Sequence, residues 1–307
     1  MKRYLSALVL LSMICFLLFF PKEALSAARS GLLLWYQNLV PVLFPFMILS
    51  NLLIRTDTIS ILLKWVHPLF RLIWGTSIYG SYAILAGYLF GYPMGAKVVC
   101  DLKKQEALSE AEAEYLICFV NNLSPAFLIT FLIHENLGKP QLLAPTLGIL
   151  YGAPLLTSML FAPKYRSKSG QVIGQKNKAS KVPLRIELID ACIFDGIINI
   201  TRLGAYIMLF SLITGALRLL PVKNVLLQCL IYGSMEITTG IRYTCQAPLG
   251  FFSKYLCLMA MCSFGGICAL MQTLSVFPMK GRTLRQYLVA KTITVCLCIL
   301  LTLILFL

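Results

Sequence analysis

The chain has 307 residues, 59% of them hydrophobic and only 13% charged, with a mean hydropathy of +0.81 and a formal net charge of +15. That composition excludes a water-soluble globular domain and predicts an all-α polytopic membrane protein whose solvent is the lipid bilayer. The cations are scattered between apolar runs, with no basic patch interleaved with stacking aromatics, so the charge reflects membrane orientation and no nucleic-acid partner is expected.

At the N-terminus, Lys2-Arg3, the apolar run to Phe20 and the small residues Ser26, Ala27 and Ala28 fit both a cleavable secretory signal and a retained anchor. Residues Glu23 to Trp35 lead as an amphipathic approach into the next span, which favours a transmembrane anchor at 1–27 that is kept. Apolar windows long enough for a hydrocarbon core of about 30 Å follow at Leu32 to Ile54, Ala113 to His134, Leu142 to Phe161, Ile197 to Leu220, Phe251 to Leu274 and Tyr287 to Leu307. Between the first two, Asp57 to Trp74 carries apolar residues at helical spacing with Lys64, His67 and Arg71 between them, the pattern of an interfacial helix. His67 and His134 have no ligand partner nearby in sequence, and the eleven cysteines lie mostly inside apolar segments without a CxxC pair. Neither a metal site nor a disulfide framework is expected.

Two further apolar runs, Ser77 to Leu102 and Leu226 to Leu249, are interrupted by Gly91-Tyr92-Pro93-Met94-Gly95-Ala96-Lys97 and by Met235-Glu236-Ile237-Thr238-Thr239-Gly240-Ile241-Arg242. Each break has a glycine followed two residues later by a cation. Irregular backbone and charge at membrane depth are tolerated only where protein or a water-filled cavity shields them, so the pair predicts one enclosed transport site. Basic residues decide whether these runs cross the membrane. If both are re-entrant hairpins, seventeen of the 27 lysines and arginines fall on one side, with the N-terminus, and six on the other; if both cross, the bias collapses. Re-entrance leaves an odd number of crossings in each half, which inverts the second half relative to the first. The expected organisation is an anchor at 1–27, a first repeat at 28–161, a basic cytoplasmic linker at 162–185 without helical periodicity, and a second repeat at 186–307. Each repeat comprises an entering helix, a hairpin, a broken helix and a closing helix.

Asn121-Asn122-Leu123-Ser124-Pro125 sits mid-span, where the proline removes a backbone donor and clashes with the preceding turn, freeing carbonyls for a ligand or ion. Ser263-Phe264-Gly265-Gly266, with Gln272 beyond it, occupies the corresponding place in the second half; close helix packing is the alternative role for those glycines. The candidate substrate-binding residues are Tyr92, Pro93, Gly95 and Lys97 at the first tip and Asn121, Asn122 and Ser124 at the first broken helix. Glu236, Thr238, Thr239 and Arg242 at the second tip and Gln272 complete the set. Lys97 has two readings, bonding to carbonyls or Glu236 as structural glue and contact with an anionic substrate. Half-helix N-termini at both tips add positive potential and free N–H donors, which tilts the expectation towards a carboxylate-bearing solute.

Gly91-Tyr92-Pro93-Met94-Gly95-Ala96-Lys97, Asn121-Asn122, Glu236-Ile237-Thr238-Thr239-Gly240-Ile241 and Ser263-Phe264-Gly265-Gly266, in this order, resemble the sporulation integral membrane protein family of the nucleoside-recognition (Gate) domain group. The resemblance extends over nearly the whole chain. It implies a fold related to concentrative nucleoside transporters and a role in endospore formation, where a family member is associated with moving dipicolinic acid from mother cell to forespore. It also implies that both tips and the Asn121-Asn122 break line the solute site. Thr239 stands where many relatives have asparagine, and the second break ends in Gln272, which bears on substrate choice.

Three functions stay open. The leading expectation is a secondary carrier for dipicolinate or a similar small organic anion, in the membrane surrounding the forespore with its N-terminus in the cytoplasm. Another is a carrier of nucleosides or bases, for which Asn121, Asn122, Glu236 and Gln272 offer amides and a carboxylate. The third is a non-transporting scaffold of the sporulation machinery. An enzyme is not expected, because the chain has no nucleophile with a base partner, no phosphate loop and no paired histidine or carboxylate cluster at ligand spacing. No cofactor is expected either. A coupling ion, H+ on Glu236 or Asp101 or Na+ on the carbonyls near Pro125, stays open, as do protein partners.

Overall fold

The structure, a computed structural model, describes residues 2–169 and 182–306. Their regular structure is all helical, with no strand among the described residues. Five helices among them are long and apolar enough to cross a membrane: Pro21–Arg55, Pro140–Tyr165, Ile186–Leu217, Phe251–Val276 and Gly281–Phe306. The chain is a multi-pass membrane protein. Its surface agrees, since large apolar side chains face outward along these helices; Leu160 is 62% exposed and Phe194 67%, a pattern that suits lipid and not water.

Helix α1 (Lys2–Phe19) is separated by Phe20 from Pro21, which opens α2 (Pro21–Leu33) in the first turn, where a missing N–H costs nothing. Helix α2 runs through residue 27, the expected end of the anchor. A π-helical turn, Leu34–Leu39, joins α2 to α3 (Val40–Arg55) in one continuous 35-residue helix. Pro41 and Pro45 follow that turn, and each lacks the amide that the preceding turn's carbonyl would accept from, so the wider π geometry sits where regular bonding is already interrupted. Two short helices, α4 (Ile59–Leu62) and α5 (His67–Trp74), replace the single interfacial helix expected over Asp57 to Trp74; α5 stops at Gly75, whose φ of 70° is left-handed.

The two glycine-bearing runs fold back as helical hairpins. In the first, α6 (Ile78–Phe90) and α7 (Met94–Lys104) reverse through Gly91-Tyr92-Pro93, and a Cβ on Gly95 would strike the Cα of Gly87. In the second, α11 (Val225–Met235) and α12 (Ile237–Gln246) reverse at Glu236, and a Cβ on Gly240 would strike the Cα of Gly233. Glycine at all four positions lets the arms approach to backbone contact.

A discontinuous helix follows each hairpin. The first comprises α8 (Glu110–Leu116), an irregular stretch through 121–124, and the π-helical segment Phe127–Leu137. The second is α13 (Phe251–Phe264) and α14 (Gly266–Val276), parted at Gly265 and Gly266 with φ of 90° and 80°. Long helices close each half: α9 (Leu143–Ser169) and α15 (Gly281–Phe306). Helix α9 carries eight residues past the expected start of the linker at 162, so 162–169 is helical and not loop; the stretch 170–181 lies outside the described residues. Helix α10 (Ile186–Leu217) then opens the second half. It packs antiparallel along α2 and α3. Its Gly196 lies against Phe44, its Gly204 against the Trp35 ring, and Ser211 against Gly31, while Trp35 Nε1 donates to Ile200 O at 2.8 Å.

Candidate functional site

All four helix interruptions converge. The first tip lies on the first break: Tyr92 N donates to Asn122 O at 2.6 Å, and a Cβ on Gly91 would strike Ser124 N. The second tip lies on the second break, with the Gly233, Ser234 and Met235 carbonyls against Gly266. Tyr92 ties the two together, its ring resting on Gly265. Interrupted helices leave unpaired backbone groups at their ends, and gathering them in the interior lets them satisfy one another away from lipid.

A cavity of about 380 Å³ opens at this junction. Tyr92, Ser124, Glu236, Thr238 and Gln272 line it, together with Gly265 and Cys268 and, from the long first helix, Leu34, Gln37, Asn38, Leu39 and Leu43. Ile207 and Leu203 of α10 and Phe127 and Phe131 of the π-helical segment supply an apolar wall. The Tyr92 hydroxyl is buried without a hydrogen-bond partner among the described residues. A hydroxyl in that state is a donor and acceptor held ready for something that enters.

Glu236, 3% exposed, is committed locally. Its carboxylate accepts from Thr238 N at 2.9 Å, Thr239 N at 2.8 Å and Thr238 Oγ1 at 2.6 Å, capping α12. The free N–H donors expected at this helix start therefore already hold an anion, the protein's own. That corrects the expectation of an anion-attracting tip, because a carboxylate seated on the helix terminus cancels its positive end. The charged residues that line the cavity are Glu135 and Glu236, both acidic.

The remaining sequence candidates go elsewhere. Lys97, 5% exposed, is not bonded to Glu236: its Nζ lies 2.5 Å from Asp101 and 3.1 Å from Asn51 Oδ1, one helical turn and one helix away from the tip. Arg242 is exposed, with its guanidinium over the Phe131 ring. Pro93 and Gly95 shape the hairpin and do not line the cavity, and Thr239 gives only its backbone N–H to Glu236. Asn121 Nδ2 donates to Thr273 Oγ1 at 2.6 Å and to Tyr287 Oη at 3.2 Å, and Asn122 Nδ2 to Phe119 O at 2.7 Å. Both amides build the break and leave the cavity to others.

Lys97 instead lines a second, polar cavity of about 580 Å³, with Asn51, Arg55, Asp101, Lys104, Asp195, Asn199 and Arg202. The two cavities share helices. Along α3 the first takes residues up to Leu43 and the second Asn51 and Arg55; along α14 the first takes Gln272 and the second Ser275 and Val276. They thus follow one another along these helices, with the tips and breaks lining the first.

Comparison with characterised chains fits this architecture. The chain is 24% identical to the sporulation integral membrane protein YlbJ of Bacillus subtilis (strain 168), over 88% of its own length and 74% of that protein's. It resembles a sporulation integral membrane protein. No family model matches the sequence, and no solved structure matches it.

Several lining groups escaped the sequence reading. Gln37, Asn38 and Glu135 belong to the cavity, and the signal for the first two was the Pro41 and Pro45 pair just after them in an apolar run. Lys291 was the larger omission. It is 4% exposed, in the middle of α15, and a lone cation in a span is itself a signal.

Proposed function

We propose that the chain is a secondary carrier, not an enzyme, that moves a small organic solute across a membrane by exposing the junction cavity alternately to its two sides. The observation that carries this reading is the meeting of both hairpin tips and both helix breaks around one cavity, with a second cavity following it along the same helices. Two inverted repeats with re-entrant hairpins fit that arrangement. Helices α3 and α10 run antiparallel, and the polar cavity lies at the end rich in Arg55, Lys103, Lys104 and Arg185, the cytoplasmic side by charge. The N-terminus is then cytoplasmic, and similarity to a sporulation protein favours the membrane around the forespore.

Solute class follows from the lining. Acidic Glu135 and Glu236, with Gln272, Thr238, Ser124 and the Tyr92 hydroxyl on an apolar wall, favour a neutral, partly aromatic solute that donates hydrogen bonds, such as a nucleoside or base. A dianion meets no lining cation there. Dipicolinate stands as the second reading, favoured by the polar cavity, where Arg55, Lys97, Lys104 and Arg202 outnumber Asp101 and Asp195.

Uptake of labelled uridine and of dipicolinate into proteoliposomes tests both. Uridine uptake is expected above that of empty liposomes, and to fall roughly tenfold in Tyr92→Phe, which removes the unpartnered lining hydroxyl, the loss of about 1.4 kcal/mol of binding. Dipicolinate uptake without uridine uptake would reverse the order of solutes. No flux of either would end the carrier reading.

A further inference from the structure

The first helix break has the composition of a cation site, yet three of its backbone carbonyls are already hydrogen-bonded by the protein and a fourth is packed over. Val120 O is packed against the backbone of Gly87 and Gly95, close enough that a Cβ on either would strike it. Asn121 O accepts from Lys291 Nζ at 2.5 Å. Asn122 O accepts from Tyr92 N at 2.6 Å, and Leu123 O from Tyr151 Oη at 2.8 Å. An alkali metal ion needs several such oxygens turned inward together, and here they are distributed to a hairpin and to both closing helices. Asn121 Oδ1 is the buried side-chain oxygen left at the break without a hydrogen-bond partner among the described residues, and one such oxygen does not make a sodium site.

One of those donors is a cation. Lys291 is buried, and the ion pairs among the described residues, Arg55–Asp195, Lys97–Asp101 and Lys103–Glu110, do not include it. An ammonium without a carboxylate is costly inside a membrane protein unless carbonyl dipoles solvate it. The break offers such dipoles, and around it Asn121 Nδ2 donates to Thr273 Oγ1 and Tyr287 Oη, linking the break to α14 and α15. We propose that Lys291 is the resident cation of this break. Its ammonium replaces a metal ion in satisfying the interrupted helix, pins the break to α15 as a positioning residue, and makes this site independent of sodium.

The inference rests on side-chain placement and holds whether or not the protein carries a solute, so its test needs none. Thermal unfolding of the purified full chain is followed in sodium chloride and in choline chloride of equal ionic strength. Coinciding midpoints are expected, and a midpoint that climbs with sodium but not with choline overturns the proposal. Lys291→Ala is expected to lower the midpoint by roughly 4 °C or more. Ethylammonium, which supplies the missing ammonium, should restore part of that loss, and choline, too bulky to enter, should not. A variant that responds to neither ethylammonium nor sodium marks Lys291 as packing alone and counts against the idea. Where Lys291→Ala fails to fold, Lys291→Gln and the comparison on the unmodified protein still decide. Sodium-driven solute flux would overturn this inference while supporting the carrier reading, so the two fail separately.

Discussion

Single residues in this protein are governed by whether a polar group finds a partner before it meets lipid. Glu236 and Lys97 were both candidates for solute contact, and both are engaged within a few residues of their own position, one by the amides of α12 and the other by Asp101 a turn away. His67 obeys the same rule at the membrane surface, its Nδ1 3.0 Å from Ser81 Oγ. Burial first, and the nearby Arg71 charge second, hold its imidazole below the usual value of 6.5. The folded protein therefore binds fewer protons than the unfolded chain once pH falls through about 6.5. The stability tied to neutral His67 is present above that pH and is lost below it. The stability advantage of the native protein over His67→Gln should shrink as pH is lowered from about 8 to about 5 in thermal unfolding. An advantage that grows on acidification would contradict the assignment.

At the level of elements, the hairpins depend on bare backbone. Gly233 and Gly240 touch across the second hairpin, whereas Gly148 in α9 has nothing within 4 Å of where a Cβ would sit. Gly240→Ala must push two helix backbones apart and is expected to cost about 2 kcal/mol, in the range of overpacked cores. Gly148→Ala should gain about 0.5 kcal/mol from reduced freedom of the unfolded chain. Paired melting curves of the two variants check this, and equal shifts would mean that close approach does not hold the hairpin. Both discontinuous helices lose regular bonding at their breaks, and in each the tip of the preceding hairpin supplies the compensating contact, so tip and break form one structural unit.

For the whole molecule, the question is which water each loop reaches. Single cysteines introduced at Arg71 and Lys104, before and after the first hairpin, should label with a membrane-impermeant maleimide from one side. Cysteines at Lys223 and Gln246, around the second hairpin, should label from the other; all four positions are exposed. Cys296, the exposed native thiol, needs replacing first. Labelling of Arg71→Cys and Lys104→Cys from different sides would mean that the first run crosses the membrane, and the inverted arrangement would fall.

Composition and periodicity alone determined that this chain is helical, spans a membrane several times and is interrupted at Gly91, Asn121, Glu236 and Gly265. Those properties follow from local rules: apolar length against bilayer thickness, and the backbone demands of glycine and proline. Only the tertiary structure decided which polar groups face the cavity. A side chain's partner depends on helices distant in sequence, as when Lys291 reaches Asn121 and Tyr92 reaches Gly265. In a bilayer interior each polar group bonds to the nearest available donor or acceptor, and that neighbour is fixed by packing, which one-dimensional spacing does not encode.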